Sequence, residues 1–405
     1  MQYRRVPQGL LTSILILGIL MPGCRRAVTP VQDADSLATA FVDSLDVSEL
    51  RMREWVDSVM AGMTLEEMAG QLIYPAVYSD DSGYAMRSVV RYVADCHVGG
   101  VVLLKGTPEA ARLISDTLSK ISCAPPFVSI DAEWGLAMRL KNTPRFPRNG
   151  KISPAARDSI LYEYGVEVAR ECREVGINMV LGPVLDVLPE ENGKDTFIGS
   201  RSFGSDAMRV TRHGVSYAKG LEDGGVISVA KHFPGHGSAD ADSHKRLPTV
   251  SKSREQLFDS DLKPFMEYAG NNLSAIMVGH LYVPALDSED IPVSVSEKIL
   301  KGFVRDEMGF RGLIITDAMN MAGAGGKSGA DAIMAGADMV LAPRDTHREV
   351  MSLVEAVEHD VFPLESLRDR VRRVLSYKFR VKNMASGVQN TIKLHEIQKR
   401  LIQKG

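Results

Sequence analysis

Gly225-Val-Ile-Ser-Val-Ala-Lys-His-Phe-Pro-Gly-His-Gly-Ser-Ala-Asp-Ala-Asp-Ser-His244 decides the fold. Its first six residues form a short apolar run that reads as a buried strand. The next fourteen, Lys231–His244, hold three histidines, two aspartates and a lysine among Gly and Pro. Gly and Pro interrupt regular structure, so this half is expected to be mostly loop. A strand delivering ionisable groups at its C-terminal end is the arrangement that places active sites in parallel α/β folds.

Working outward, seven further apolar runs share this form: Gln71–Tyr78, Gly99–Leu104, Pro126–Asp131, Ile177–Val184, Ser274–Gly279, Gly312–Thr316 and Asp338–Ala342. Amphipathic stretches such as Pro108–Ile121, Ala155–Val175 and Met208–Asp223 separate them. Eight runs alternating with helices predict an α/β fold, a single (β/α)8 TIM-type barrel. The rival, an open doubly wound sheet, has no GxGxxG or P-loop to support it. Polar residues follow the runs: Asp131 and Glu133, Asp186, Lys231 and His232, His280, and Asp317. In a barrel these strand ends converge on one rim.

The chain has 405 residues, 44% of them hydrophobic, enough for one large core. The formal net charge of −3 gives no nucleic-acid footprint. Cys24, Cys96, Cys123 and Cys172 form no CxxC pair, which speaks against a disulfide scaffold or a zinc knuckle. Arg4 and Arg5, the apolar stretch Leu10–Met21 and then Pro22-Gly23-Cys24 resemble a bacterial lipoprotein signal. Met21 departs from the more usual Leu. Residues 1–23 are expected to be this signal, with Cys24 the lipidated first residue after cleavage and a membrane anchor. Residues 24–48 read as a tether, 49–385 as the catalytic domain and 386–405 as a helical tail, with Thr391–Lys404 a surface helix. Thr64-Leu-Glu-Glu67 is a capping box.

Asp242-Ser243-His244 sets a carboxylate two residues before an imidazole, a spacing that suits general acid–base work near neutral pH. Ser243 as a hydrolase nucleophile is a rival, but no G-x-S-x-G elbow surrounds it. Zinc on His232, His236 and His244 is another, without HExxH spacing or a helping cysteine. Asp317, closing Gly312-Leu-Ile-Ile-Thr316, is a nucleophile, a ligand-binding group or the N-cap of a helix over Ala318–Met321. Asp131, Arg139, Arg201, Lys231 and His232 suit a hydroxyl-rich, amide-bearing ligand such as a sugar.

Together Met63-Thr-Leu-Glu-Glu67, Gly70-Gln-Leu72, Ile130-Asp-Ala-Glu133, Gly182-Pro-Val-Leu-Asp-Val187, Ile198-Gly-Ser-Arg-Ser-Phe-Gly204, Lys231–His244 and Gly312-Leu-Ile-Ile-Thr-Asp317 resemble glycoside hydrolase family 3, specifically its NagZ-type β-N-acetylglucosaminidases. The resemblance runs from about Val56 to Arg380 and implies a retaining exo-glycosidase acting on terminal β-linked N-acetylglucosamine, on peptidoglycan or glycan fragments. It implies that Asp317 forms a covalent glycosyl-enzyme and that His244, paired with Asp242, protonates the leaving oxygen and later activates water. Retaining glycosidases commonly use two carboxylates about 5 Å apart, so an imidazole would replace the acid carboxyl. Asp131, Arg139, Arg201, Lys231 and His232 match the family's sugar-binding positions. Trp134 stands where the family commonly has glycine and is expected to reshape an aglycone subsite. No cofactor or metal is expected; the partners are a carbohydrate and, through Cys24, a membrane, with no nucleic acid. Alternatives are a phosphorylase or β-glucosidase of the same family, and an inactive lipid-anchored glycan-binding protein.

Overall fold

A computed structural model describes residues 34–79, 83–190, 196–383 and 393–403. All eight apolar runs appear as strands. They are β1 (Ile73–Tyr74) and β2 (Ala76–Ser79), both from the first run, then β3 (Gly100–Gly106), β4 (Phe127–Ile130), β5 (Met179–Val180), β6 (Ile227–Phe233), β7 (Ala275–Val278), β8 (Leu313–Thr316) and β9 (Val340–Leu341). Pro75 divides the first run because it has no N–H to give to a ladder.

Strands β2 to β8 form one seven-stranded parallel sheet in sequence order, and β1 pairs with β9 in a second, two-stranded parallel sheet. The order never reverses, so there is no switch point of the doubly wound kind. An isolated parallel bridge, Ile315 to Met339, links the end of β8 to the residue before β9. Every residue of β4, β6, β7 and β8 is buried, as expected for parallel strands covered on both faces.

Helices fill the connections. Ala207–Asp223 is opened by Asp206, whose carboxylate accepts from the N–H groups of Met208 and Arg209. It packs closely on Asp158–Glu174 because two glycines face each other. A Cβ on Gly165 would lie 2.2 Å from the Tyr217 carbonyl oxygen, and one on Gly220 would lie 2.0 Å from that of Tyr162.

Two helices lie at the ends of the described residues. The helical pattern read from Glu49 belongs to a longer helix, Ala34–Ala61, which enters the stretch expected to be a tether. The tail helix, Leu394–Ile402, is not purely a surface element. It buries Ile397 and Leu401 completely, and the Leu401 carbonyl accepts from the Ser153 N–H at 2.8 Å. An apolar pair spaced i, i+4 is short enough to escape a search for long amphipathic stretches. No helix among the described residues is long and apolar enough to cross a membrane.

Glu171 sits in the buried face of Asp158–Glu174 with neither carboxyl oxygen hydrogen-bonded among the described residues. Burial, reinforced by Glu167, pushes its pKa up to about 8. A carboxyl raised in the folded state stabilises fully below its unfolded pKa and loses that stability as pH rises through the folded value. Glu171→Gln is therefore expected to match wild type near pH 4.5 and to exceed it above pH 8, read as a rise of several degrees in Tm. Parallel melting curves at the two pH values would disprove the assignment.

Candidate active site

The strand ends meet at a cavity of about 500 Å³, a size that suits a small ligand. Asp131, Arg139, Arg201, Lys231, His232, His244 and Asp317 all line it. Asp242 stands behind His244, and Cys24 lies outside the described residues.

One wall is a charge network. Strand β6 continues past Ala230 to Phe233, so Lys231 and His232 belong to the strand rather than to the loop. A lysine this deeply buried is tolerable only when paired. Lys231 Nζ donates to Asp131 Oδ1 at 2.7 Å and lies 2.8 Å from Glu133 Oε1. Arg201 grips Glu133 with two parallel bonds of 3.0 and 2.8 Å, and Arg139 pairs with Asp131. Burial pushes both carboxyls up, but Lys231 with Arg139 beside Asp131, and Lys231 with Arg201 beside Glu133, hold each below its usual value. Burial opposes the charge on Lys231, yet Asp131 and Glu133 raise its pKa. Three cations against two carboxylates leave directed N–H donors at the cavity, an arrangement fit for sugar hydroxyl and amide oxygens.

Asp186 organises the second wall. It is fully buried and accepts from His232 Nδ1–H at 2.7 Å, from the His232 backbone N–H at 3.1 Å and from the His236 backbone N–H at 2.7 Å. Burial opposes its charge, but these partners bring its pKa down to about 2. With Nδ1 held, His232 turns Nε2 toward Arg201, 3.4 Å away. Gly237 brings the loop down onto the Asp186 segment, where a Cβ would lie 2.0 Å from the Val187 carbonyl oxygen.

The far end of the loop is pinned from below. His236 Nε2 and Ser243 Oγ are 3.0 Å apart, both buried, and the Ser243 carbonyl accepts from the Gly323 N–H at 2.8 Å. Asp186 reaches only the backbone of His236, so no Ser–His–acid relay is assembled on Ser243. Among the described residues no group of three or more His, Cys, Asp or Glu is placed to hold a metal ion, these three histidines included.

Above this anchor, Asp242 Oδ1 accepts both the backbone N–H of His244 and its Nδ1–H, each at 2.9 Å. This Asx-type turn presents Nε2 outward, and the His244 side chain is 56% exposed. Burial of Asp242 is outweighed by the His244 N–H bonds, which lower its pKa. The Phe197 ring lies 5.0 Å from the His244 ring and carries the Arg201 guanidinium at 5.2 Å, joining the two walls.

Asp317 closes β8. Its N–H bonds the Val278 carbonyl at 3.0 Å, and Oδ1 accepts from the Ala318 N–H at 2.8 Å. Burial raises its pKa, but His232, His280, the Ala318 N–H and Lys231 outweigh that and keep it ionised. His280 also fixes the backbone here, with Nε2 3.1 Å from the Ala318 carbonyl oxygen. The N-cap alternative is corrected: residues 318–321 form a turn, and the next helical turn is Ala322–Ala324.

Trp134 stands outside the residues that line this cavity, and its ring carries the Arg148 guanidinium at 4.6 Å. Glu133, Asp186, Phe197 and His236 complete the site although sequence reasoning gave none of them a role. Glu133 and Asp186 at least carried the strand-end signal. Phe197 carried none.

Residues 64–377 match the family model for the glycosyl hydrolase family 3 N terminal domain. The chain is 28% identical over 341 residues to a β-N-acetylglucosaminidase/β-glucosidase of Cellulomonas fimi, covering 80% of this chain and 59% of that relative. It is 33% identical over 273 residues to a β-hexosaminidase of Nitrosospira multiformis, covering 64% and 77%. The structure of a glycoside hydrolase family 3 β-N-acetylglucosaminidase from Paenibacillus sp. str. FPU-7 superposes with a TM-score of 0.74 at 30% identity, covering 84% of this chain and 68% of that one.

Proposed function

The chain belongs to glycosyl hydrolase family 3, and on that premise we propose that it is a retaining exo-glycosidase removing terminal β-linked N-acetylglucosamine. The observation that carries this reading is the placement of Asp317 at the end of β8, lining the same cavity as His244, which Asp242 holds by its Nδ1–H.

In the first step Asp317 attacks the anomeric carbon as the glycosidic C–O bond breaks. Protonated His244 delivers its Nε2 proton to the leaving oxygen, and Asp242 steadies the imidazolium. The product is a covalent glycosyl-enzyme. In the second step neutral His244 takes a proton from water, whose oxygen attacks the same carbon and releases Asp317. Two displacements retain configuration. Asp131, Arg139, Arg201, Lys231 and His232 hold the sugar's hydroxyl and N-acetyl groups during both steps.

The names of the relatives support the sugar. With nitrophenyl glycosides, kcat/KM for β-N-acetylglucosaminide is expected to exceed that for β-glucoside and β-xyloside by at least about tenfold, because unmatched polar groups in a sugar site are costly. The reverse preference would sink the assignment. Repeating the assay with phosphate separates hydrolysis from phosphorolysis. His244 carries no carboxylate charge to repel phosphate, so N-acetylglucosamine 1-phosphate as product would favour the phosphorylase reading.

Closure of the strands into an eight-stranded (β/α)8 barrel is supported by the β1–β9 pairing, the Ile315–Met339 bridge, and the single residue between β1 and β2. Export and lipid attachment at Cys24 are supported by the basic start, Leu10–Met21 and Pro22-Gly23-Cys24. Cys24→Ala should move the protein from the membrane to the soluble fraction, and an unchanged distribution would rule out the anchor.

A further inference from the structure

A second large concavity lies before the N-terminal ends of β7 and β8, away from the cavity described above. It is a groove of about 690 Å³ between residues 309–312 and the helix Leu364–Asn383. Four arginines line it, Arg311, Arg372, Arg373 and Arg380, against one acid, Asp369. The chain as a whole is slightly acidic, so this positive charge is local.

The arginines are poorly compensated. Arg372 pairs with Asp369 at 2.8 Å, and Arg373 turns inward to Asp338. Among the described residues Arg311 donates to the Arg305 carbonyl at 3.3 Å and makes no ion pair. Arg380 lies on the Tyr377 ring at 4.8 Å and makes no ion pair among the described residues. Behind the groove, buried Asp338 must serve Arg305 at 2.6 Å, Arg373, and the Ile314 N–H at 2.8 Å. Neighbouring Arg370 has a buried Nε without a hydrogen-bond partner among the described residues. Burial pushes the Arg305 pKa down to about 10, and repulsion from Arg373 and Arg370 adds to it despite Asp338. The cluster is short of negative charge.

We propose that this groove binds a phosphate ester. Its anionic oxygens sit among Arg311, Arg372 and Arg380, and its carbon skeleton lies on Leu273, Phe310 and Tyr377. Guanidinium groups approaching from several directions suit a group with oxygens on every side, and arginine's fork gives each oxygen paired donors. The apolar wall adds what inorganic phosphate would not use. Such an ester is either a lipid headgroup or a soluble metabolite.

The test uses the full chain. Glycerol 3-phosphate and inorganic phosphate are titrated calorimetrically at constant ionic strength set by chloride. Vesicles of phosphatidylglycerol are compared with phosphatidylcholine by co-sedimentation. Phosphate-ester binding is expected, weakened at least about tenfold by Arg372→Gln with Arg380→Gln, with glycoside hydrolysis unchanged. Arg380→Gln alone leaves the Asp369–Arg372 pair intact and guards against misfolding of the double variant. Binding to phosphatidylglycerol vesicles without the soluble ester identifies a lipid headgroup, and the opposite result a soluble ligand. Heat signals and co-sedimentation that chloride abolishes, or that the variants leave unaltered, overturn the proposal.

Discussion

Asp317→Asn is expected to lower kcat on the nitrophenyl β-N-acetylglucosaminide by about 10⁴-fold or more, the scale on which enzymes lose turnover when a nucleophile is removed. The substitution is nearly isosteric, and its side-chain carbonyl still accepts from the Ala318 N–H, so the fold and the melting temperature should hold. What disappears is the charge that His232, His280 and Lys231 surround. Azide supplies a small external anion to the vacated face. In Asp317→Ala it should restore turnover and give the α-glycosyl azide, because a single displacement inverts configuration. A variant that keeps more than a tenth of wild-type turnover ends the assignment of Asp317 as nucleophile. The lowered pKa has its own consequence: the nucleophile stays ionised as pH falls toward 3.8, so its protonation should not shape the kcat/KM profile above that value.

The second large effect concerns His244 and Asp242. His244→Ala is expected to cost about 10²- to 10⁴-fold, the range for general acid–base groups, and the loss should depend on the leaving group. Nitrophenolate leaves without a proton, so glycosylation of Asp317 survives and the glycosyl-enzyme accumulates. Rapid mixing should show a burst of nitrophenol followed by slow release. A sugar leaving group needs the proton, so disaccharide hydrolysis should fall further than aryl glycoside hydrolysis. Asp242→Asn keeps one hydrogen bond to the ring but loses the charge, and should sit between wild type and His244→Ala. Equal losses on both substrates would reduce the pair to a structural role.

Much of the architecture was legible in the chain. Apolar runs of five to eight residues, five of them followed by a polar group, marked every strand, because a strand covered on both faces must be apolar throughout. Pro75 and the early start of Ala34–Ala61 escaped that reading. The first depends on which N–H a ladder needs, and the second on a stretch without clear periodicity. Leu394–Ile402 hid its docking in two apolar residues.

The site divides along the same line. Sequence alone determined which residue types stand at the strand ends, the order of the family motifs, and the two-residue spacing that lets Asp242 hold His244. Those are local facts, and local geometry suffices for them. Tertiary structure alone decided that Lys231 lies inside β6, paired with an Asp131 one hundred positions away, and that Arg201 grips Glu133 across sixty-eight. It alone made Asp186 the organiser of two histidines and set the Phe197 ring between His244 and Arg201. The physical reason is the cost of burying charge. Whether a lysine, an arginine or a carboxylate can be buried depends on the partners that other strands bring to it, and no periodicity along one strand encodes that meeting.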